Sequence, residues 1–269
     1  MRAVLISLFG LLGTAGCTFD RSGFVAAADH ADSIGDSPIS DHEARPLADL
    51  APDLAPPPNT LYALPAPSIA VDGVLGDWSA AGWLTIAAPA YWVSMGGSAS
   101  GASDISCKTA ARWDAGALYL AFEVTDDIHR NTHAGDTGNL WRGDSVQIGL
   151  DMARNGGNTY DTTDDFEYGW ALSGEQAIRQ RWFAPTGAPA MQHTFAVKRK
   201  ATTTTYEIRL PLPDLGVSAL AVNQTLGFDF MVNDDDGSDR KGYLEWTPGL
   251  GTDPAWKKPG QFGTLKLVP

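Results

Sequence analysis

Long helical repeats are missing from this chain of 269 residues. Without apolar residues recurring every three to four positions, a helical bundle or a layered α/β design is excluded. Basic residues are scarce, with 19 Lys and Arg against 32 Asp and Glu and a formal charge of −13. No cationic footprint is available to meet phosphates, so nucleic acid is excluded as a partner. Cysteine is limited to Cys17 and Cys107, so no disulfide framework exists, and no His/Cys spacing suits zinc. No G-x-S-x-G segment occurs. Asp144, Glu167, Glu123 and Glu245 are available as acids, but nothing pairs two of them in the opposed environments that glycoside hydrolysis needs. The sequence therefore reads as a non-catalytic chain.

Glycine and proline are plentiful, at 29 and 17 residues, and short alternating segments lie between them. The start has an export pattern: Met1-Arg2, then the apolar run Ala3–Leu12, too short to span a bilayer. Gly13-Thr14-Ala15-Gly16-Cys17 follows, with small residues before a cysteine as in the lipobox of bacterial lipoproteins. This makes Cys17 the expected lipidation site, with secretion after cleavage elsewhere as the alternative. The expected location is the cell envelope or surface, and the membrane is touched through the lipid alone. Residues 18–60 hold eight acidic residues against Arg21 and Arg45, and end in LADLAPDLAPPP. Such a segment buries too little apolar area to fold alone and reads as a semi-stiff tether. The expected division is a signal segment 1–17, a tether 18–60 and a β domain 61–269.

Within that domain, Ser68–Val71, Ala117–Thr125, Ser145–Asp151, Phe166–Leu172, Ile178–Phe183, Thr194–Lys200, Thr204–Leu210, Leu226–Asn233, Tyr243–Trp246 and Thr264–Val268 read as strands. In Ser145–Asp151, Val146, Ile148 and Leu150 point one way; Ser145, Gln147 and Gly149 point the other. About ten antiparallel strands without a convincing helix predict an all-β sandwich or jelly roll. The only helical scrap lies around Pro213–Leu220.

Trp78, Trp113, Trp170 and Trp246 sit in strand-like texture and are assigned to the core. Trp141 and Trp256 differ, because Gly, Pro and polar neighbours surround them. An exposed indole beside amide and carboxylate groups suits a sugar ring, which offers C–H faces to stack and hydroxyls to hydrogen-bond. Asp234, Asp235 and Asp236 form an oxygen-rich turn that invites Ca²⁺. His129 and His133 are four apart on a loop, a spacing that would suggest a metal only on a helix. Cys107 reads as a small buried hydrophobe.

Four segments together resemble the family 9 carbohydrate-binding modules: IAVDGVLGDW (69–78), NLWRGDSVQIGLD (139–151), LGFDFMVNDDDGSDRKGYLEW (226–246) and FGTLKL (262–267). The resemblance implies a β-sandwich that binds sugars, often glycan chain ends, between two tryptophans. It also implies structural Ca²⁺ and attachment to plant-polysaccharide hydrolases. On that pattern Trp141 and Trp256 are the stacking pair. Gln147 stands where the family has a Glu, and Asp253 where it has an Asn. Gly169 takes the place of a family Arg, which Arg179 or Arg181 would have to replace. The expected ligand is a xylan- or cellulose-type glycan, held for partner glycoside hydrolases. Two other readings stay open: a haem b electron-transfer module ligated through His129, His133, His193 or methionine, and a structural surface protein whose sugar site has decayed.

Overall fold

The structure, a computed structural model, describes residues 58–237, 239–251 and 257–269. Cys17 and residues 18–57 of the expected tether lie outside the described residues, as do Asp253 and Trp256; Thr60, given to the tether, begins the first strand. Among the described residues thirteen strands are formed, in chain order β1 (Thr60–Pro65), β2 (Leu84–Ala87), β3 (Trp92–Ser94), β4 (Ile105–Asp114), β5 (Ala117–Asp126), β6 (Ser145–Asp151), β7 (Asp165–Ser173), β8 (Gln176–Phe183), β9 (Thr194–Lys200), β10 (Thr203–Pro211), β11 (Thr225–Asp234), β12 (Gly242–Glu245) and β13 (Gly263–Leu267). Hydrogen bonding runs β8-β7-β6-β11-β13-β1-β4-β5-β10-β9, with β12 on β11, β3 on β12 and β2 on β4. Two layers result, and the core lies between them: Phe122 of β5 meets Phe230 of β11 with ring centroids 5.6 Å apart. The expected all-β sandwich is observed.

Four details depart from the sequence reading. β1 joins the layers by pairing in parallel with both β13 and β4, so the sandwich is not wholly antiparallel. Ser68–Val71 is not a strand; the domain opens with β1 instead. β1 to β4 have no counterpart among the expected strands. β4 is hard to see because its middle carries small apolar residues on both faces: Ala110 packs into one cluster and Ala111 into another, so the alternation that betrays a strand is lost there. The fourth departure is the helical scrap around Pro213, which is a single 3-10 turn, Leu212–Leu215.

Elsewhere alternation predicts the faces correctly. Val146, Ile148 and Leu150 pack in the core with Phe166, Tyr168, Trp170, Phe228 and Phe230. Trp78, Trp170 and Trp246 are buried, and Cys107 is buried as expected, which pushes its thiol pKa up. Trp113 is half-buried, its Nε1 donating to the Val268 carbonyl at 2.9 Å. The segment with Asp72-Gly73 and Trp78 also has a structural role. Glu207, fully buried, accepts from the backbone N–H of Asp72 and Gly73 and from Trp78 Nε1 at 2.7 Å. Gly73 has φ +81°, a conformation that glycine reaches without a Cβ clash.

Candidate functional site

The outer face of the layer β12-β11-β6-β7-β8 carries the candidate site. Directly paired antiparallel residues share a face. Gln147 pairs with Met231 and Gly169, Met231 pairs with Glu245, and Gly169 pairs with Gln180. These side chains therefore line one row across the sheet.

Trp141 stands above that row in a 3-10 turn, Thr137–Arg142, that leads into β6. The turn is pinned from below. Leu140 is fully buried. Asn131 Nδ2 donates to the Leu140 carbonyl at 2.9 Å, and Thr137 Oγ1 donates to Gln180 Oε1 at 2.8 Å. Trp141 is half-buried. The Arg240 guanidinium lies 4.8 Å from the Trp141 ring centroid and 4.9 Å from that of Tyr243, so it is clamped between two aromatics. Arg142 lies 5.8 Å from the Trp141 ring and pairs with Asp239. Burial pulls the Arg240 pKa down, whereas the bond to Asp239 raises that of Arg142. Met95, Trp141, Arg142, Asp239 and Arg240 line a cavity of about 360 Å³.

Gln147 is nearly buried, 3% exposed. Its Oε1 accepts from Asn233 Nδ2 at 3.1 Å, and Asn233 Oδ1 accepts from Arg240 Nη1 at 2.8 Å. One polar chain thus links the expected sugar-contacting amide to the cation under the expected stacking ring. Composition does not reveal Asn233, Arg240 or Tyr243, because only the strand register brings Asn233 opposite Ser145 and Tyr243.

Gly169 is explained by Trp182. A Cβ added at Gly169 would stand 2.5 Å from Trp182 Cζ3 and Cη2 and 3.3 Å from Leu140 Cδ1. The indole of Trp182, with its Nε1 donating to the Gly138 carbonyl at 2.8 Å, fills the space where a longer residue 169 would begin. Neither arginine proposed as its replacement serves the spot. Arg179 and Arg181 pair with Trp170 and Tyr168, core-facing residues, so they project from the opposite side of β8. Arg179 stacks over Phe195 at 5.4 Å and donates to the His193 carbonyl.

Asp253 and Trp256 lie outside the described residues. The residues beside them are tied to the outer face. Gly251 N–H donates to Glu245 Oε1 at 2.6 Å, and Lys257 Nζ lies 3.5 Å from Glu167 Oε1.

Acidic groups gather at two further places. In the first, Asp126, Asp234 and Asp236 bring carboxylate oxygens within 4.8 Å of one another, as do Asp104, Asp127 and Asp236. Lys241 Nζ enters this cluster, 3.0 Å from Asp104 Oδ1 and 3.2 Å from Asp234 Oδ2. The latter approach is an ion pair without hydrogen-bond geometry, so both Asp234 oxygens are buried without accepting a hydrogen bond. Burial, opposed by Lys241 and reinforced by Asp236, pushes the Asp234 pKa up to about 7. Asp235, expected to join its neighbours, turns aside: its Oδ2 is 3.0 Å from Arg130 Nη1 and its Oδ1 accepts from Gly237 N–H. His129 joins the edge of this region. Its Nε2 donates to the Leu172 carbonyl at 2.9 Å, and its Nδ1 faces Asp144 at 3.4 Å and Asp126 at 3.7 Å. Loop position alone did not reveal that role. The second cluster is Asp151, Asp164 and Asp165, between β6 and β7. Asp165 Oδ1 is buried without a partner. Burial, with Asp151, Asp161 and Asp164 adding, pushes the Asp165 pKa up to about 7 against a bond from the Asp161 N–H.

Residues 71–269 match the family described as carbohydrate family 9 binding domain-like. The chain belongs to that family. Among solved structures, the fold is similar to a family 9 carbohydrate-binding module of Caldicellulosiruptor kristjanssonii in complex with cellotriose, with TM-score 0.60 and 23% identity, covering 78% of this chain and 93% of that one. A glucose complex of a family 9 module from the same organism gives TM-score 0.55 and 22% identity over 77% and 95%. Endo-1,4-beta-xylanase A of Thermotoga neapolitana is 28% identical over 164 residues, and endo-1,4-beta-xylanase C of Paenibacillus barcinonensis 25% identical over 171. The matched stretch is 61% and 63% of this chain but only 14% of each xylanase.

Proposed function

We propose that this family 9 domain binds glycans of the cellulose and xylan type without cleaving them, through Trp141 and Gln147 on the outer sheet face. The observation that carries this reading is the linked set Trp141, Arg240, Asn233 and Gln147. It ties the aromatic ring that lines the cavity to a fixed amide on the adjoining sheet face, the pairing that a sugar's C–H face and hydroxyls require. Arg240 holds the indole in one orientation, so little ordering remains to be done on binding. Asp253 and Trp256 belong to the segment between Gly251 and Lys257, and we assign them a second polar contact and a second stacking ring. Affinity is expected in the range of roughly millimolar to micromolar, about −4 to −8 kcal/mol.

Calcium would serve the fold. The buried oxygens of Asp234 and Asp165 that accept no hydrogen bond fit a hard cation, with Asp126 and Asp236 beside the first and Asp151 and Asp164 beside the second; at the first, the ion would take the place of Lys241 Nζ. When bound, the ion supplies charge compensation that cross-links loops. On this reading Cys17 carries a lipid, the chain works at the cell envelope, and captured glycan is passed to separate hydrolases. Haem fits less well: His193 Nδ1 bonds Asp214 at 2.7 Å and its Nε2 accepts from Trp170, so neither nitrogen is available to iron.

The test is titration calorimetry and affinity electrophoresis of the full chain against xylan, cellotriose and glucose, beside Trp141→Ala. Losing a stacked indole should weaken binding by at least about fivefold, since an aromatic contact and its burial contribute about 1 kcal/mol or more. Equal binding by the variant, or no binding by folded wild type, would overturn the reading.

A further inference from the structure

We infer that the Gln147 amide is locked with its NH2 outward, so that the centre of the site donates a hydrogen bond and reads an acceptor oxygen on its ligand. This rests on the reading that Gln147 faces a glycan. The lock starts at Arg240, whose guanidinium has donors only. The Asn233 atom 2.8 Å from Arg240 Nη1 must therefore be the oxygen of that amide. The other end of Asn233 is then its NH2, again a donor. It reaches Ser145 Oγ at 2.9 Å and the Gln147 amide at 3.1 Å. Ser145 directs its own proton to the Gly143 carbonyl at 2.9 Å, so it accepts from Asn233. The Gln147 atom facing Asn233 must likewise be the oxygen. Arg240 cannot swing to release the chain, because the rings of Trp141 and Tyr243 flank it at 4.8 and 4.9 Å. The Gln147 NH2 is left, and among the described residues it donates to none.

The polarity of that group selects chemistry. A carboxylate at this place accepts only, so it would need a hydroxyl proton from the sugar. The outward NH2 needs a lone pair instead. Hydroxyl, ether, glycosidic and ester oxygens all offer one. The contact therefore does not require a free hydroxyl, and interior, capped or esterified sugar residues satisfy it as well as chain ends.

Two measurements on the full chain test this. The first uses no ligand: side-chain amide exchange by NMR should show the Asn233 NH2 protected and the Gln147 NH2 exchanging fast. A protected Gln147 NH2 with a fast Asn233 NH2 would overturn the inference whether or not sugar binds. The second is calorimetry with glucose and its singly deoxyfluorinated forms, because a C–F group donates nothing. At one ring position the Gln147→Glu variant should lose about five- to tenfold more affinity than wild type on fluorination, the value of one hydrogen bond. Asn233→Asp, an acceptor-only side chain, should turn Gln147 around and reproduce the Gln147→Glu profile. A variant-to-wild-type ratio that is constant over the panel would overturn the inference. Absence of all sugar binding, with the amide exchange as expected, would instead overturn the glycan reading and leave the lock standing.

Discussion

At the scale of single residues, the site is defined by what its glycines and amides permit. Gly169 sits under Trp182, and a methyl group there would meet the indole at 2.5 Å. Gly169→Ala is expected to destabilise the fold by about 1–3 kcal/mol, the usual cost of overpacking. The penalty should shrink in a Trp182→Leu background, where the ring edge is gone. Urea midpoints of the two single variants and the double variant would check this coupling. Gly169 was legible in the sequence only as a missing side chain. The tryptophan that fills its place is thirteen positions later on β8, brought over it by strand pairing that no local pattern encodes.

At the scale of elements, the junction of β7, β9 and the Leu212–Leu215 turn is held by a buried histidine. His193 N–H and Nδ1 both reach Asp214 Oδ2, at 2.9 and 2.7 Å, while Trp170 Nε1 donates to Nε2 at 3.2 Å. A ring that accepts from Trp170 and donates to Asp214 is neutral. Burial, opposed by the bond to Asp214, lowers its pKa from 6.5 to about 4. The unfolded chain therefore takes up a proton below pH 6.5 that the folded chain refuses until about pH 4. Stability from this group is full above 6.5 and declines as pH falls through that window. Between pH 7 and pH 5 the loss should be about 2 kcal/mol greater in wild type than in His193→Gln. Denaturant unfolding at the two pH values measures it. β6 and β11 are buried on both faces, yet were readable because apolar residues alternate with polar ones or glycine along most of their length; the middle of β4 carries alanines on both faces and lacks that alternation.

At the scale of the whole molecule, the surplus of acidic groups is unevenly balanced. Lys241, Arg199 and Arg130 enter the Asp126–Asp234 region. Among the described residues, no Lys or Arg bridges Asp151, Asp164 or Asp165. Millimolar Ca²⁺ should accordingly raise the melting temperature by several degrees, and a chelator should reverse the gain, as expected of a ligand bound by the folded state alone. Asp165→Asn should shrink the response. An unchanged melting temperature in calcium and chelator would remove the ion from the account.

The sequence by itself determined the all-β class, most strand positions and their inward faces, because a period of two is a local property of the chain. It also singled out Trp141, Gln147 and the acidic turn. Only the tertiary structure decided what those residues meet. The register of β6 against β7 and β11 set Gln147 beside Gly169 and Met231 and two residue pairs from Asn233, on the same face. The path back from β12 brought Arg240 between Trp141 and Tyr243. Asp235 turned to Arg130 while Asp234 and Asp236 drew in Asp126. Neighbours far apart in sequence are chosen by pairing and packing over the entire sandwich. Local patterning therefore identified the side chains, and only the assembled sheet specified the polarity of the amide and the company of the carboxylates.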